Sequence, residues 1–191
     1  MSLPCPRRVL VTGAAGAGTT TLASAMAARW SVPHADTDDY FWLPTDPPYR
    51  EVREVSARVE LMSALFLPRP AWVLSGSLLG WGDPARSVME RVELVVLVTL
   101  EPSTRMARVE ERQRRRYGSA AIAEGGPLHD EHVAFLQWCA GYDDPDFDGR
   151  NLAGHLAWLE QIEQPSLRLD GSAAVGDLVA QVASHLCGAR P

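Results

Sequence analysis

The sequence has no lysine; all 18 of its basic residues are arginine. Cysteine is sparse too. Cys5, Cys139 and Cys187 are odd in number and scattered, which argues against a disulfide framework or a zinc knuckle and fits a reducing compartment. The longest aliphatic run, 94–100, is far short of a membrane span, and the apolar run near Met1 is too short for a signal peptide. The net charge of −6 gives no argument for nucleic acid or a membrane as partner. These absences lead to the expectation of a soluble, cytoplasmic protein. With 191 residues, 46 % of them apolar, and no internal repeat, one domain spanning 1–191 with a sizeable core is expected.

What is present is an alternation of strand and helix patterns. Residues 8–12 form a short aliphatic run closed by glycine, which reads as a buried strand. Thr19–Trp30 follows as a helix, with Leu22, Met26 and Trp30 along one face. Residues 32–36 read as a second strand. The segment 51–67 reads as an amphipathic helix carried by Val52, Val55, Val59, Met62 and Phe66. A third strand is expected at 71–75, and Asp83-Pro84 reads as an N-cap with proline at N1 opening a short helix. Residues 94–100 are aliphatic on both parities, as a strand buried on both faces requires. Pro102–Tyr117 is an arginine-rich helix, and a further helix is expected near 128–140. A helix at 151–164, a strand at Ser166–Asp170 and a helix at 174–186 close the chain. Five strands alternating with helices predict an α/β fold with a parallel sheet covered on both sides.

The first strand–helix junction reads V-T-G-A-A-G-A-G-T-T. Gly13 and Gly18 have the four-residue gap of the phosphate-binding pattern G-x-x-x-x-G-K-[ST], and Thr20 supplies its final hydroxyl. Thr19 stands where that pattern has lysine. In this reading Gly13, Ala14, Ala15, Gly16, Ala17, Gly18, Thr19 and Thr20 form the nucleotide loop. Its N–H groups, from about Ala15 to Thr20, and the helix N-terminus wrap the β-phosphate. None of those contacts needs the lysine side chain; the charge that lysine adds during transfer must come from elsewhere. Two other readings stand beside this one: a ligand-free tight turn, and a dinucleotide-binding loop with Asp36 as the ribose acid. The second fails on spacing, because Gly13, Gly16 and Gly18 are three and then two apart, the reverse of G-x-G-x-x-G. A Tyr-x-x-x-Lys pair is also impossible without lysine.

The loop, the acids of Asp36-Thr37-Asp38-Asp39-Tyr40, the arginines between Arg105 and Arg116 and the closing strand–helix together resemble the P-loop small-molecule and nucleoside-monophosphate kinases. That group includes the adenylate, cytidylate, shikimate and gluconate kinases. Some cytidylate-kinase-like members also read G-T-T at the lysine position. The resemblance implies a three-layer α/β/α domain with strand order 2-3-1-4-5 and a helical lid within 102–150. It implies ATP and Mg²⁺, with transfer of the γ-phosphate to a nucleoside monophosphate or a small hydroxyl-bearing acceptor. Thr20 and Asp36 would hold the metal, and Asp38 would position the acceptor or act as base. Arg108 or Arg112, which have no acidic partner four residues away, would replace the missing lysine. Arg105, Arg108, Arg112 and Arg115 recur as one stripe, whereas Arg114 and Arg115 have Glu110 and Glu111 at i, i−4.

The acceptor stays open between a hydroxyl compound, favoured by the acids after strand two, and a nucleoside monophosphate, favoured by Arg50, Arg53 and Arg58. Trp42 and Trp81 are candidate lining residues, and Arg150 a candidate ligand of nucleotide or acceptor. Asp144-Pro145-Asp146-Phe147-Asp148-Gly149 imitates half a calcium loop, but His155 stands at the twelfth position and an acidic surface loop is expected. His129 and His132 are assigned no metal. A nucleotide-binding protein without catalysis and an NAD(P)-binding oxidoreductase remain the alternative functions.

Overall fold

A computed structural model describes residues 7–46 and 48–188. Cys5 and the N-terminal run through residue 6 lie outside the described residues. Five strands form one parallel sheet in the order β2-β3-β1-β4-β5. The strands are β1 (Arg8–Gly13), β2 (His34–Asp36), β3 (Trp72–Ser75), β4 (Leu94–Thr99) and β5 (Ser166–Asp170). Helices α1 (Thr19–Trp30), α2 (Thr37–Phe41), α3 (Val55–Leu65), α4 (Arg86–Met89) and α5 (Pro102–Tyr117) follow in chain order. After them come α6 (Ser119–Ile122), α7 (His129–Ala140), α8 (Leu152–Gln161) and α9 (Val175–Gly188). The expected fold class and strand order are what is observed.

Strand parity divides the core. Val9, Val11, Val73, Leu94, Val96 and Val98 pack on one face against Leu22 and Met26 of α1 and Leu178 and Val182 of α9. Leu10, Trp72, Leu74, Val95 and Leu97 pack on the other against Met62 of α3, Val88 of α4 and Leu159 of α8. Because both faces are covered, the central strands read as unbroken apolar runs. Among the described residues no helix is long and apolar enough to cross a membrane.

Three sequence expectations are corrected. The helix expected over 51–67 starts only at Val55 and ends at Leu65. Val52 continues the apolar spacing but lies in extended chain, bridged antiparallel to Trp42. Asp83 does not cap a helix: it sits inside a 3-10 turn, Asp83–Ala85, whose N-cap is Gly82. The second strand expected at 32–36 starts only at His34, and after Asp36 the chain enters a helix, α2, too short to show a periodicity.

The fold carries β1 and β2 to the same edge of the molecule as the N-termini of α1, α2 and α5. Sequence changes direction there: β1 is flanked by β3 and β4, so the crevice above its end is a topological switch point.

Candidate functional site

Between β1 and α1 the glycine loop turns with Gly16 at φ +85° and Gly18 at φ +101°. Gly18 is the N-cap of α1 and supplies no side chain, so the first-turn donors stay open. The N–H groups of Gly16, Gly18, Thr19 and Thr20 have no acceptor among the described residues. Ala17 departs from the expectation. Its N–H donates to Ala14 O at 3.1 Å, and both alanine side chains are buried in the core. A Cβ on Gly16 would stand 2.5 Å from the Arg105 carbonyl oxygen, so glycine here is what lets α5 lie against the loop.

Thr19 adds bulk and no charge: its methyl turns back to within 3.2 Å of where a Gly13 Cβ would stand. A guanidinium is nearby instead. Arg108 Nη1 donates to Gly171 O at 3.5 Å and lies 4.0 Å from the position a Gly18 Cβ would take. Arg108 and Arg112 are exposed and line an open hollow of about 470 Å³ with Thr104, Ala107, Glu111 and Arg115.

Asp36 ties the loop to the next two strands. It pairs with Ser75 in register, and its Oδ2 accepts from the Ser75 hydroxyl at 2.6 Å and the Thr20 hydroxyl at 3.0 Å. Ser75 in turn lies 2.9 Å from His34 Nε2, and burial holds the His34 imidazole below its usual pKa. Oδ1 of Asp36 accepts from Asp38 N at 3.1 Å, which caps α2. Asp36 therefore both caps the turn and faces Thr20. Gly76 makes this geometry possible, since a Cβ there would meet Thr37 Oγ1 at 1.8 Å.

The Thr20 hydroxyl and Asp36 carboxylate form an all-oxygen pair suited to Mg²⁺, which keeps waters and substrate phosphates around one or two protein oxygens. No group of three His, Cys, Asp or Glu residues able to hold a metal occurs among the described residues. The donor set thus fits a metal shared with a phosphate better than a dedicated cage.

Asp38 is exposed, yet burial by surrounding protein and the charge of Asp36 push its carboxyl above the usual range, while Arg150 and Arg112 pull it down. Asp38 therefore lies within the field of both arginines. Arg150 stacks on Trp138 at 5.1 Å, burial lowers its pKa, and its Nε is buried without a hydrogen-bond partner among the described residues.

The arginine stripe of α5 divides. Arg105 is not on the cleft face: it is buried at 1 % exposure with Val109 and Gln113, four and eight residues on. Arg114 and Arg115 make the expected pairs, with Glu110 at 3.3 Å and Glu111 at 2.7 Å. The three arginines that suggested a nucleoside monophosphate are largely engaged. Arg50 pairs with Glu131, and Arg53 donates to Tyr40 O and Trp42 O. Arg58, buried, donates Nε to Arg53 O and lies between Phe41 and Trp81, 4.1 and 4.8 Å from their ring centres. Trp81 is buried; Trp42 packs edge-on against Tyr49.

Sequence reasoning missed His155 as anything but a misfit in a calcium loop. It is fully buried. Its Nδ1 lies 2.7 Å from the Tyr142 hydroxyl, and its Nε2 lies 3.0 Å from Ser77 Oγ and 3.3 Å from Thr12 Oγ1. Burial, with the nearby Arg150 charge, lowers its pKa to about 4. The acidic run itself forms a local turn, with Asp146 N donating to Asp144, and Asn151 caps α8.

No family model matches the chain. The uncharacterized protein YqaC of Bacillus subtilis (strain 168) is 31 % identical over 180 residues, 94 % of this chain and 97 % of that one. The chain belongs to the YqaC family. Solved structures extend the family's fold. The shikimate kinase of Acinetobacter baumannii, solved in complex with shikimate, has a TM-score of 0.57 at 14 % identity, covering 97 % of this chain and 95 % of that one. A sugar kinase of Janibacter sp. HTCC2649 gives 0.53 at 17 % identity, with 96 % of each chain covered. A gluconokinase of Sinorhizobium meliloti 1021 gives 0.52 at 13 %, covering 96 % and 93 %. This member of the YqaC family therefore has the fold of the P-loop small-molecule kinases.

Proposed function

We propose that this chain transfers the γ-phosphate of ATP to a hydroxyl of a small acceptor molecule. The observation that carries the reading is the Thr20–Asp36 contact of 3.0 Å, because it brings the phosphate loop and the acids after β2 into one site. Thr20 and Asp36 would hold Mg²⁺, which when bound neutralises phosphate charge. The open N–H groups of Gly16, Gly18, Thr19 and Thr20 receive the β-phosphate. Asp38 orients the acceptor hydroxyl. As the acceptor oxygen bonds to the γ-phosphorus, the bond from that phosphorus to the bridging oxygen breaks, ADP leaves, and the hydroxyl proton passes to Asp38.

Charge migrates onto the leaving oxygen during this step, and Thr19 cannot meet it. Arg108, beside Gly18 and without an acidic partner, supplies that charge, and Arg112 acts from the Asp38 side. A hydroxyl acceptor is favoured over a nucleoside monophosphate because Arg50 and Arg53 already serve Glu131 and backbone carbonyls.

The test is titration calorimetry with ADP and a non-hydrolysable ATP analogue, with and without Mg²⁺, beside NAD and NADP, followed by a panel of hydroxyl acceptors. Micromolar, Mg²⁺-enhanced binding and turnover on a polyol or hydroxy acid are expected. Binding without turnover on any acceptor points to a nucleotide-binding protein that is no enzyme. Preference for NAD or NADP overturns the kinase reading.

A further inference from the structure

Beneath the phosphate loop lies a polar cluster, buried except for Asp143, that the reaction above does not use. Arg105 enters it from the first turn of α5. Its Nη1 donates to the Ala15 carbonyl at 3.1 Å, and its Nη2 donates to Asp143. Its guanidinium lies 5.6 Å from the Tyr142 ring centre. Tyr142 is held in turn by His155, which reaches Thr12 at the end of β1 and Ser77 beyond β3. One guanidinium nitrogen, Nε, stays buried with no hydrogen-bond partner among the described residues.

Such an arrangement is a poor source of stability. The Asp143 carboxylate is partly open to solvent, which weakens its attraction to Arg105, and an unpartnered buried N–H adds a desolvation cost. What the cluster does uniquely is fix a peptide. In a trans peptide the carbonyl oxygen and the next N–H point in opposite directions. Holding Ala15 O down against Arg105 therefore holds the Gly16 N–H up, into the open side of the loop where it has no acceptor among the described residues. At φ +85° Gly16 has wide conformational freedom, so this peptide needs an external restraint to keep its direction.

We infer that Arg105 is a positioning residue of the phosphate loop, which by clamping the Ala15 carbonyl aims the Gly16 N–H at a phosphate oxygen, with Asp143 and the Tyr142–His155 pair holding the clamp in place. This rests on the loop binding a nucleotide, as proposed above. The loop lacks the lysine that would otherwise gather phosphate from its open side. Backbone direction consequently carries more of the binding, and the clamp matters correspondingly.

The experiment compares ADP affinity by calorimetry in the wild type, Arg105→Met, Arg105→Lys and Asp143→Asn. Each is measured at a temperature where its melting curve shows it fully folded. Loss of one aimed, charge-receiving donor predicts a rise in Kd of about tenfold for Arg105→Met and about threefold for Asp143→Asn, with Arg105→Lys between wild type and Arg105→Met. Hydrogen exchange of the peptide spanning 13–20 in the free variants should speed up in the same order. A residue that only stabilised the fold would lower the melting temperature and leave Kd unchanged. If Arg105→Met fails to fold, Asp143→Asn decides, since it keeps the arginine and only loosens its hold. Wild-type ADP affinity in the folded variants overturns the inference while the nucleotide reading stands. A wild-type protein that binds no ADP overturns both.

Discussion

On one face of α5, Arg105 is buried at 1 % exposure and spends its hydrogen bonds on Ala15 and Asp143; on the other, Arg108 and Arg112 are exposed and have no carboxylate in salt-bridge reach among the described residues. These are the same side chain, three and seven positions apart on one helix, and the difference lies in what each face meets. The buried face carries Arg105, Val109 and Gln113, and the first two press on the underside of the glycine loop. The cleft face looks across the open side toward Gly18 and Asp38. On the proposed reading, one face sets the direction of the loop's donors, and the other offers charge to what the donors hold. In the proposed reaction a loop without lysine separates these two tasks onto the two faces of a single helix.

The comparison breaks most sharply if the cleft face carries no catalytic charge. Arg108→Ala should lower turnover by about 10²–10³-fold, the size found for loss of one donor to developing negative charge, with the melting temperature unmoved. Adding Thr19→Lys in that background should recover at least about tenfold, because a lysine at the loop reaches the same phosphates. Normal turnover in Arg108→Ala and Arg112→Ala alike would remove the cleft face from the mechanism.

The sequence made some of this legible. Thr19–Trp30 and Pro102–Tyr117 are found at their expected bounds. In the first a glycine precedes a regular apolar spacing, and in the second proline stands at N1 and Gly118 terminates the helix. The contact of Thr20 with Asp36 follows once β2 is read as ending at Asp36, because β2 runs beside β3 and ends near the loop. The two faces of α5 were not legible. Arginine is expected at the surface, and the spacing of Arg105 with Val109 and Gln113 is no stronger than its spacing with Arg108 and Arg112. Which stripe is buried depends on what lies across from it, here a loop 90 positions earlier in the chain. His155 was illegible for the same reason: its partners Thr12 and Ser77 come from other strand ends. The segment 51–54 misled because Val52 keeps the helical spacing while its backbone pairs with Trp42.

The buried side of the comparison has its own signature in pH. His155 is neutral in the fold, with its pKa lowered to about 4 from 6.5. The unfolded chain takes up a proton as pH falls through about 6.5, whereas the folded protein does not until about pH 4. This contribution to stability is therefore complete above the unfolded pKa and is lost as pH falls across that window, up to about 3 kcal/mol. Urea melts of wild type and His155→Gln at pH 7.5 and pH 4.5 check it. Wild type should lose more stability than the variant between the two, and equal losses would mean that the imidazole is not kept neutral by burial.

A smaller but more local effect is expected at the seam between the loop and α5. Gly16→Ala introduces a Cβ 2.5 Å from the Arg105 carbonyl, at a φ that alanine tolerates poorly. Strain and displacement together should cost about 2 kcal/mol and show as a lowered melting temperature. The same change should weaken ADP binding, since the peptide displaced is the one Arg105 holds. Stability loss without weaker ADP binding would separate the packing of this seam from its role in the site.

The smallest effect is expected where α5 faces neither the loop nor the cleft. Arg114 is 53 % exposed and shares Glu110 and Glu111 as partners, at 3.3 and 3.6 Å. Both attractions are exposed to solvent, whose high dielectric weakens them, and holding two long side chains in one geometry offsets much of what is gained. Arg114→Ala should therefore leave the melting temperature within measurement scatter and turnover unchanged, and it should do so at both low and high salt. A marked loss of turnover in this variant would mean that the catalytic charge on α5 is set by the density of arginines along the helix, with no distinction between its faces, and the assignment of that charge to Arg108 and Arg112 would fall with it.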